Sequence, residues 1–215
     1  MKSTSIDLGT WKRADDFKFF IDNLRCVIGI TADIDVTDVL AFCKRKGYRF
    51  YPVFIHIVSS AVNRRDEFKV RYDDGGKLVL WEEVSPYYTV FSAEDERFTR
   101  LLTPYSKDFE TFYKNVLDDM EVHKNAKGNQ IKYTVPNSFD VSCLPWLNYK
   151  SFDLHVFDSG TCLSPLIMWG QYKEQAGRFL MPLTLQVHHA VADGFHVARF
   201  YKDVEERIGE FCGLM

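Results

Sequence analysis

The run Leu183-Thr184-Leu185-Gln186-Val187-His188-His189-Ala190-Val191-Ala192-Asp193-Gly194-Phe195-His196 alternates like a strand and then turns into a helix start. Side chains of a strand point to opposite faces in turn. Leu183, Leu185, Val187 and His189 therefore share one face, and Thr184, Gln186 and His188 the other. His189 prolongs an apolar, buried row while His188 points away, and Asp193 is placed to cap the helix that follows. The unperturbed pKa of an imidazole lies near neutrality, so a histidine there can take a proton as a general base without a large shift. Three plainer readings stand beside this one: a satisfied core histidine, a metal site built from His188, His189, Asp193 and His196, and Asp193 as a cap and nothing more. The metal reading meets a geometric obstacle, because His188 and His189 face opposite ways. No metal is expected.

Outward from this run, helices are expected from a Thr37-Asp38 cap to about Lys46 and from Pro52 in a first turn to about Arg65. A third is expected after a Ser106 cap, with Phe109, Phe112, Val116, Leu117 and Met120 at helical spacing, and a fourth from Asp193 to about Gly209. Strands are expected over Lys69–Tyr72 and Leu78–Glu83, joined by Asp73-Asp74-Gly75-Gly76 as a hairpin. Further strands are expected over Tyr87–Phe91, Ser151–Phe157, Leu166–Tyr172 and Phe179–His188, with a turn at Gln175-Ala176-Gly177. Helices and strands mix without strict alternation, which points to an α+β fold with a mixed sheet covered by helices. No repeat or linker breaks the 215 residues, so a single domain over 1–215 is expected.

The net charge is −3 with no basic stripe, which disfavours nucleic acid as a partner. No apolar run is long enough to span a membrane, and the start, MKSTSIDLGTWKRADDF, lacks a signal-type apolar stretch. A cytoplasmic protein is expected. Five cysteines at irregular spacing fit reduced thiols better than a disulfide framework.

Gln186-Val187-His188-His189-Ala190-Val191-Ala192-Asp193-Gly194-Phe195-His196-Val197 resembles the active-site signature of the chloramphenicol acetyltransferases, and its shorter form His-His-x-x-x-Asp-Gly is similar to that of other CoA- or carrier-dependent acyltransferases. Trp11-Lys12-Arg13 with Phe17, Phe50-Tyr51-Pro52-Val53, Pro104-Tyr105-Ser106, Ser142-Cys143-Leu144-Pro145-Trp146, Gln171-Tyr172 and Met181-Pro182-Leu183 match in the same order.

The resemblance implies a two-layer α/β sandwich with a mixed β-sheet, assembled as a homotrimer with active sites between subunits. It implies acetyl-CoA as co-substrate, no permanently bound cofactor, and a small hydroxyl acceptor, chloramphenicol. By the same resemblance His189 is the general base, with its other ring nitrogen held by its own backbone carbonyl. Ser142 stabilises the oxyanion, Asp193 and Arg13 form a supporting ion pair, and Tyr172 lies near the CoA tunnel. Phe20 and Met168 stand where well-characterised members carry a tyrosine and a threonine. Both departures fall on the acceptor side and leave the base and the serine untouched. Two other readings stay open: O-acetyl transfer to another small hydroxyl acceptor, and a catalytically weak homologue that binds a ligand.

Overall fold

A computed structural model describes residues 2–94, 96–124, 135–156 and 160–213. The first half runs β1 (Ser3–Ser5), α1 (Ala14–Asp22), β2 (Val27–Asp35), α2 (Thr37–Lys46), α3 (Phe50–Asn63), β3 (Val70–Tyr72), β4 (Leu78–Trp81), β5 (Ser85–Ser92) and β6 (Arg97–Leu102). The second half runs α4 (Phe109–Val122), β7 (Ser138–Leu144), β8 (Leu166–Gly170), β9 (Lys173–Gln175), β10 (Arg178–His188) and α5 (Gly194–Gly213).

Six strands lie side by side in the order β2-β10-β8-β7-β5-β6, with β9 paired to the start of β10. The β5–β7 and β7–β8 pairs are parallel and the rest antiparallel, so the sheet is mixed, as the sequence suggests. A separate three-stranded sheet, β1-β4-β3, contains the expected hairpin, closed by Gly76 N–H on the Asp73 carbonyl. Helices α3 and α5 pack on each other and on the large sheet through one apolar core. That core joins Val53, Phe54, Ile57 and Val58 of α3 and Val197, Phe200 and Val204 of α5 to Trp169, Leu183, Leu185 and Val187 of the sheet. Strand β10 is buried on both faces, because Thr184, Gln186 and His188 are covered as fully as their apolar neighbours.

Several expectations need correction. Residues 151–156 are not a strand, and Phe157 lies outside the described residues. The Leu154 N–H and C=O are both taken by the Gln186 side chain, so no ladder forms there. The cap of α4 is Asp108, which accepts from Thr111 N–H at 2.9 Å, whereas Ser106 Oγ accepts from Asp108 N–H. At α2 the side chain serving the first turn is Asp35, 3.0 Å from Thr37 N. Strand β10 ends at His188, which is buried; His189 sits in the turn beyond it, half-buried. The ladder of β8 stops at Gly170, where a Cβ would come within 2.6 Å of the Leu147 carbonyl oxygen, so only glycine fits that crossing.

Candidate active site

The turn after β10 is built around Arg13. This residue is the N-cap of α1, and its guanidinium reaches the turn with three groups. Nε donates to the Ala190 carbonyl at 2.9 Å, Nη2 donates to the His189 carbonyl at 2.9 Å, and Nη1 meets Asp193 Oδ2 at 3.1 Å. The planar fork of arginine suits such multiple contacts. Asp193 Oδ1 accepts from Phe195 N–H at 3.0 Å, the geometry of a helix cap, and lies 2.8 Å from His196 Nδ1. Partial burial pushes the Asp193 carboxyl up, but the Arg13 hydrogen bond and His196 outweigh it and hold the group below the usual carboxylate range. With its oxygens on Arg13, Phe195 N–H and His196, Asp193 is not arranged as the third member of a Ser-His-Asp triad.

His189 is fixed from three sides. Its N–H donates to the Cys26 carbonyl at 2.9 Å, its carbonyl accepts from Arg13, and its ring lies flat against Phe20, with centroids 3.9 Å apart and planes 9° from parallel. Helix α1 thus supplies both Arg13 and Phe20, about two turns apart. The carbonyl of His189 is used by Arg13, and the buried ring Nδ1 has no hydrogen-bond partner among the described residues.

Ser142 lies on β7, with Oγ 3.0 Å from Thr89 Oγ1 of β5. Across the sheet Ser142 is in register with Met168 of β8, and Met168 with Thr184 of β10. Thr184 Oγ1 is 2.7 Å from Thr31 Oγ1 of β2. The result is a transverse row, Thr89-Ser142-Met168-Thr184-Thr31, whose hydroxyl contacts are interrupted only at the thioether. The structure buries Met168 and does not bring it beside Phe20. At the ends of β5, β7 and β8 opens a cavity of 510 Å³ lined by Tyr51, Thr89, Cys143, Trp146, Trp169 and Tyr172, among others. Tyr172 borders it edge-on to Phe50 and Phe179. Burial pushes the Cys143 thiol up to about 12, which disfavours the thiolate. In the sequence Tyr51 and Trp146 stand out only as members of matching motifs and Thr89 not at all; the fold gathers them.

His189 and Ser142 of one chain do not meet. Two strand spacings, about 9.5 Å, separate β10 from β7, and His189 is five residues beyond the register of Ser142, about 17 Å further along. The chain thus holds its two candidate half-sites apart: the framed imidazole just past one end of β10, and Ser142 in register with the middle of that strand, with the cavity beyond it lined by Cys143 rather than by Ser142.

The fold is a helix-backed mixed sheet with a histidine just past the end of β10, the long strand beside edge strand β2. A solved chloramphenicol acetyltransferase matches it at a TM-score of 0.84 with 24% identity, covering 96% of this chain and 100% of that one. The Azotobacter vinelandii dihydrolipoamide acetyltransferase matches at 0.68 with 15% identity, covering 94% and 88%. At those identities the likeness is one of fold. The family model described as chloramphenicol acetyltransferase matches residues 1–205. Chloramphenicol acetyltransferase 3 of Escherichia coli is 39% identical over 96% of this chain and 97% of its own length, and the Clostridium perfringens chloramphenicol acetyltransferase is 37% identical over 96% and 94%. The chain belongs to the chloramphenicol acetyltransferase family and is an acyltransferase.

Proposed function

We propose that the protein transfers the acetyl group of acetyl-CoA to a hydroxyl of chloramphenicol. His189 takes the proton of the acceptor hydroxyl as its oxygen attacks the thioester carbonyl. The carbonyl oxygen becomes an oxyanion, and Ser142 Oγ donates a hydrogen bond to it. Collapse of the tetrahedral intermediate breaks the C–S bond. The sulfur leaves as CoA, receiving the proton that the imidazole had taken, and the acetyl ester remains. Arg13 and Asp193 hold the turn that carries the base. The cavity beside Tyr172 receives the arm of acetyl-CoA, which binds as co-substrate rather than as a resident cofactor.

The observation that carries this reading is the framing of His189 by Phe20 and Arg13, which fixes the imidazole just past the end of β10. The separation of the two half-sites supports an assembly in which His189 of one chain faces Ser142 of another; a homotrimer closes such head-to-tail contacts. The edge strand β2 leaves Val27 and Ile30 exposed, as a surface awaiting another copy would. Among the described residues no helix is long and apolar enough to cross a membrane, and a cytoplasmic location fits the reduced cysteines.

A second reading, transfer to a different small alcohol, is favoured by one observation: neither Phe20 nor Met168 offers a hydroxyl to a polar acceptor. Thiol release from acetyl-CoA separates the two, measured with chloramphenicol and with a panel of alcohols, wild type against His189→Ala. Turnover of chloramphenicol that disappears in the variant supports the first reading. Turnover that survives the substitution rejects the mechanism.

A further inference from the structure

Asp140 precedes Ser142 by two residues on β7, so the two side chains leave the same face of the sheet, about 7 Å apart. Ser138, two residues further back on that face, is committed: its hydroxyl donates to the Val135 carbonyl at 2.7 Å. Asp140 is not. Its N–H donates to the Pro165 carbonyl at 3.1 Å, but its half-buried carboxylate makes no hydrogen bond or ion pair with any described residue.

Two guanidiniums stand near it without closing on it. Arg100 of β6 is directly opposite Thr89, whose hydroxyl is 3.0 Å from Ser142 Oγ. The Arg100 side chain leans over the Tyr87 ring, 5.7 Å from its centroid, and Tyr87 is the residue of β5 in register with Asp140. Arg71 of β3 is 5% exposed; Nη2 donates to the Phe68 carbonyl at 3.1 Å, while Nε and Nη1 are buried with no partner among the described residues. Burial pushes the Asp140 carboxyl up, against the pull of Arg100 and Arg71, and burial pushes Arg71 down to about 10, against the pull of Asp140. A lone carboxylate this close to a developing oxyanion would oppose it. The two cations offset that charge without occupying the carboxylate's lone pairs.

Position decides what the carboxylate can meet. The cavity lies past the C-terminal side of Ser142, at Cys143, Pro145 and Trp146. In the reading above acetyl-CoA enters there, which leaves the other side of the serine, where Asp140 stands, to the acceptor. A half-buried carboxylate without donors costs free energy until a donor reaches it. With two guanidiniums already at hand, a neutral hydroxyl or N–H suits it better than an ammonium.

We propose that Asp140 is a specificity-determining residue for the acceptor: its carboxylate accepts a hydrogen bond from a second donor of the acceptor, a hydroxyl or amide N–H other than the hydroxyl being acetylated. The proposal rests on the acyl-transfer reading above and sharpens it, because the preferred acceptor then carries a second donor that simple alcohols lack.

The test crosses variants with acceptors. Wild type, Asp140→Asn and Asp140→Leu are assayed for kcat, acceptor KM and acetyl-CoA KM with chloramphenicol, with its deoxy analogue lacking the hydroxyl that is not acetylated, and with its N-methyl amide analogue. In wild type one of the two analogues loses about 10- to 100-fold in kcat/KM, the effect of one hydrogen bond to a charged group. Asp140→Leu treats that analogue and chloramphenicol alike, within about twofold, at unchanged acetyl-CoA KM. Asp140→Asn keeps the size and a carbonyl acceptor, and retains a discrimination of about two- to tenfold. Should Asp140→Leu fail to fold, the reduced discrimination in Asp140→Asn decides alone. A merely structural carboxylate gives another pattern, in which each variant lowers activity on every acceptor by one common factor. That pattern overturns the proposal, as does a wild type that does not distinguish the acceptors. A wild type that binds chloramphenicol but releases no thiol with any acceptor sinks the acyl-transfer reading instead, and the same crossing, read as calorimetric affinities, then decides on Asp140.

Discussion

The Phe20 ring covers one face of the His189 imidazole at 3.9 Å, almost parallel to it. Stacked aromatic pairs contribute about 0.5–1.5 kcal/mol beyond the area they bury, so losing the stack frees the imidazole at a cost of roughly two- to tenfold in rate. Phe20→Leu is expected to lower kcat/KM by that factor with little change in acetyl-CoA KM. Phe20→Tyr keeps the stack and should retain or improve kcat/KM for chloramphenicol. Equal losses in the two variants would contradict a stacking role.

Ser142 and Asp193 should separate by readout. Ser142→Ala removes one donor to the oxyanion and is expected to lower kcat about 10²–10³-fold. The Thr89 contact is only one neutral hydrogen bond, so the melting temperature should hardly move. Asp193→Ala leaves Arg13 with one partner fewer in the turn that holds His189, and both melting temperature and activity should fall. Near-normal activity in Asp193→Ala would count against its supporting role. The folded carboxyl of Asp193 titrates below its unfolded value, so its stabilisation is present above the ordinary carboxylate range and is lost on acidification through the lowered one. The gap in melting temperature between wild type and Asp193→Asn should therefore shrink as the pH is taken below about 4.

How far these residues were legible in the sequence depends on what made each visible. The last strand and helix were plain because Leu183 to Val187 and Val197 to Ile208 keep a core-facing pattern. Arg13 and Asp193 are 180 residues apart, so only the family resemblance paired them before the fold did. Helix α1 was missed, although it carries Phe20: it is nine residues long and buries only Ala14 and Phe17, too little for a stripe to show. Ser151 to Val156 misled in the opposite way. Phe152, Leu154 and Val156 alternate with polar residues as a strand does, but their pattern reports an outward apolar surface, and the backbone between them is held by a side chain rather than by a ladder. Here the alternation marked neither a buried face nor a ladder, since residues 153–156 are all exposed.

His56 gives a prediction outside the site. It is fully buried on α3 among Tyr105, Phe109 and Phe112, with Nε2 3.1 Å from the Ser106 carbonyl. Burial pulls its pKa down to about 4, against the pull of the Ser106 carbonyl and Asp108 and with help from Arg207. In the unfolded chain a histidine titrates near 6.5, so below that pH the unfolded state takes up a proton that the folded state refuses. Stability is full above that value and falls as the pH drops toward 4, by about 3 kcal/mol in all. Urea midpoints should decline between about pH 6.5 and about pH 4 in wild type and decline less in His56→Gln. Parallel slopes would show that another group governs the acid limb.

Met168 interrupts the hydroxyl row between Ser142 and Thr184. Met168→Thr places a hydroxyl between them, beside the serine proposed to hold the oxyanion. It is expected to raise kcat for chloramphenicol several-fold while costing some stability, because a buried thioether is exchanged for a smaller polar group. Steady-state rates and a melting curve on the same preparation check both signs.

The two half-sites lead to a complementation experiment. His189→Ala subunits retain Ser142 and the cavity; Ser142→Ala subunits retain the framed imidazole. If each active site is built from the imidazole of one chain and the serine half of the next, a mixed oligomer contains some junctions with both groups intact. For random assembly of equal amounts into closed head-to-tail rings, about one junction in four is of that kind. Neither variant alone has such a junction. Co-expressing the two, or refolding them together, should therefore restore activity to about a quarter of wild type, and mixing the folded variants without subunit exchange should restore none. If the activity of the co-assembled mixture is no higher than the mean of the separate variants, both groups of a working site come from one chain. The distance along β10 that keeps His189 from Ser142 would then have to be closed by a rearrangement within the subunit.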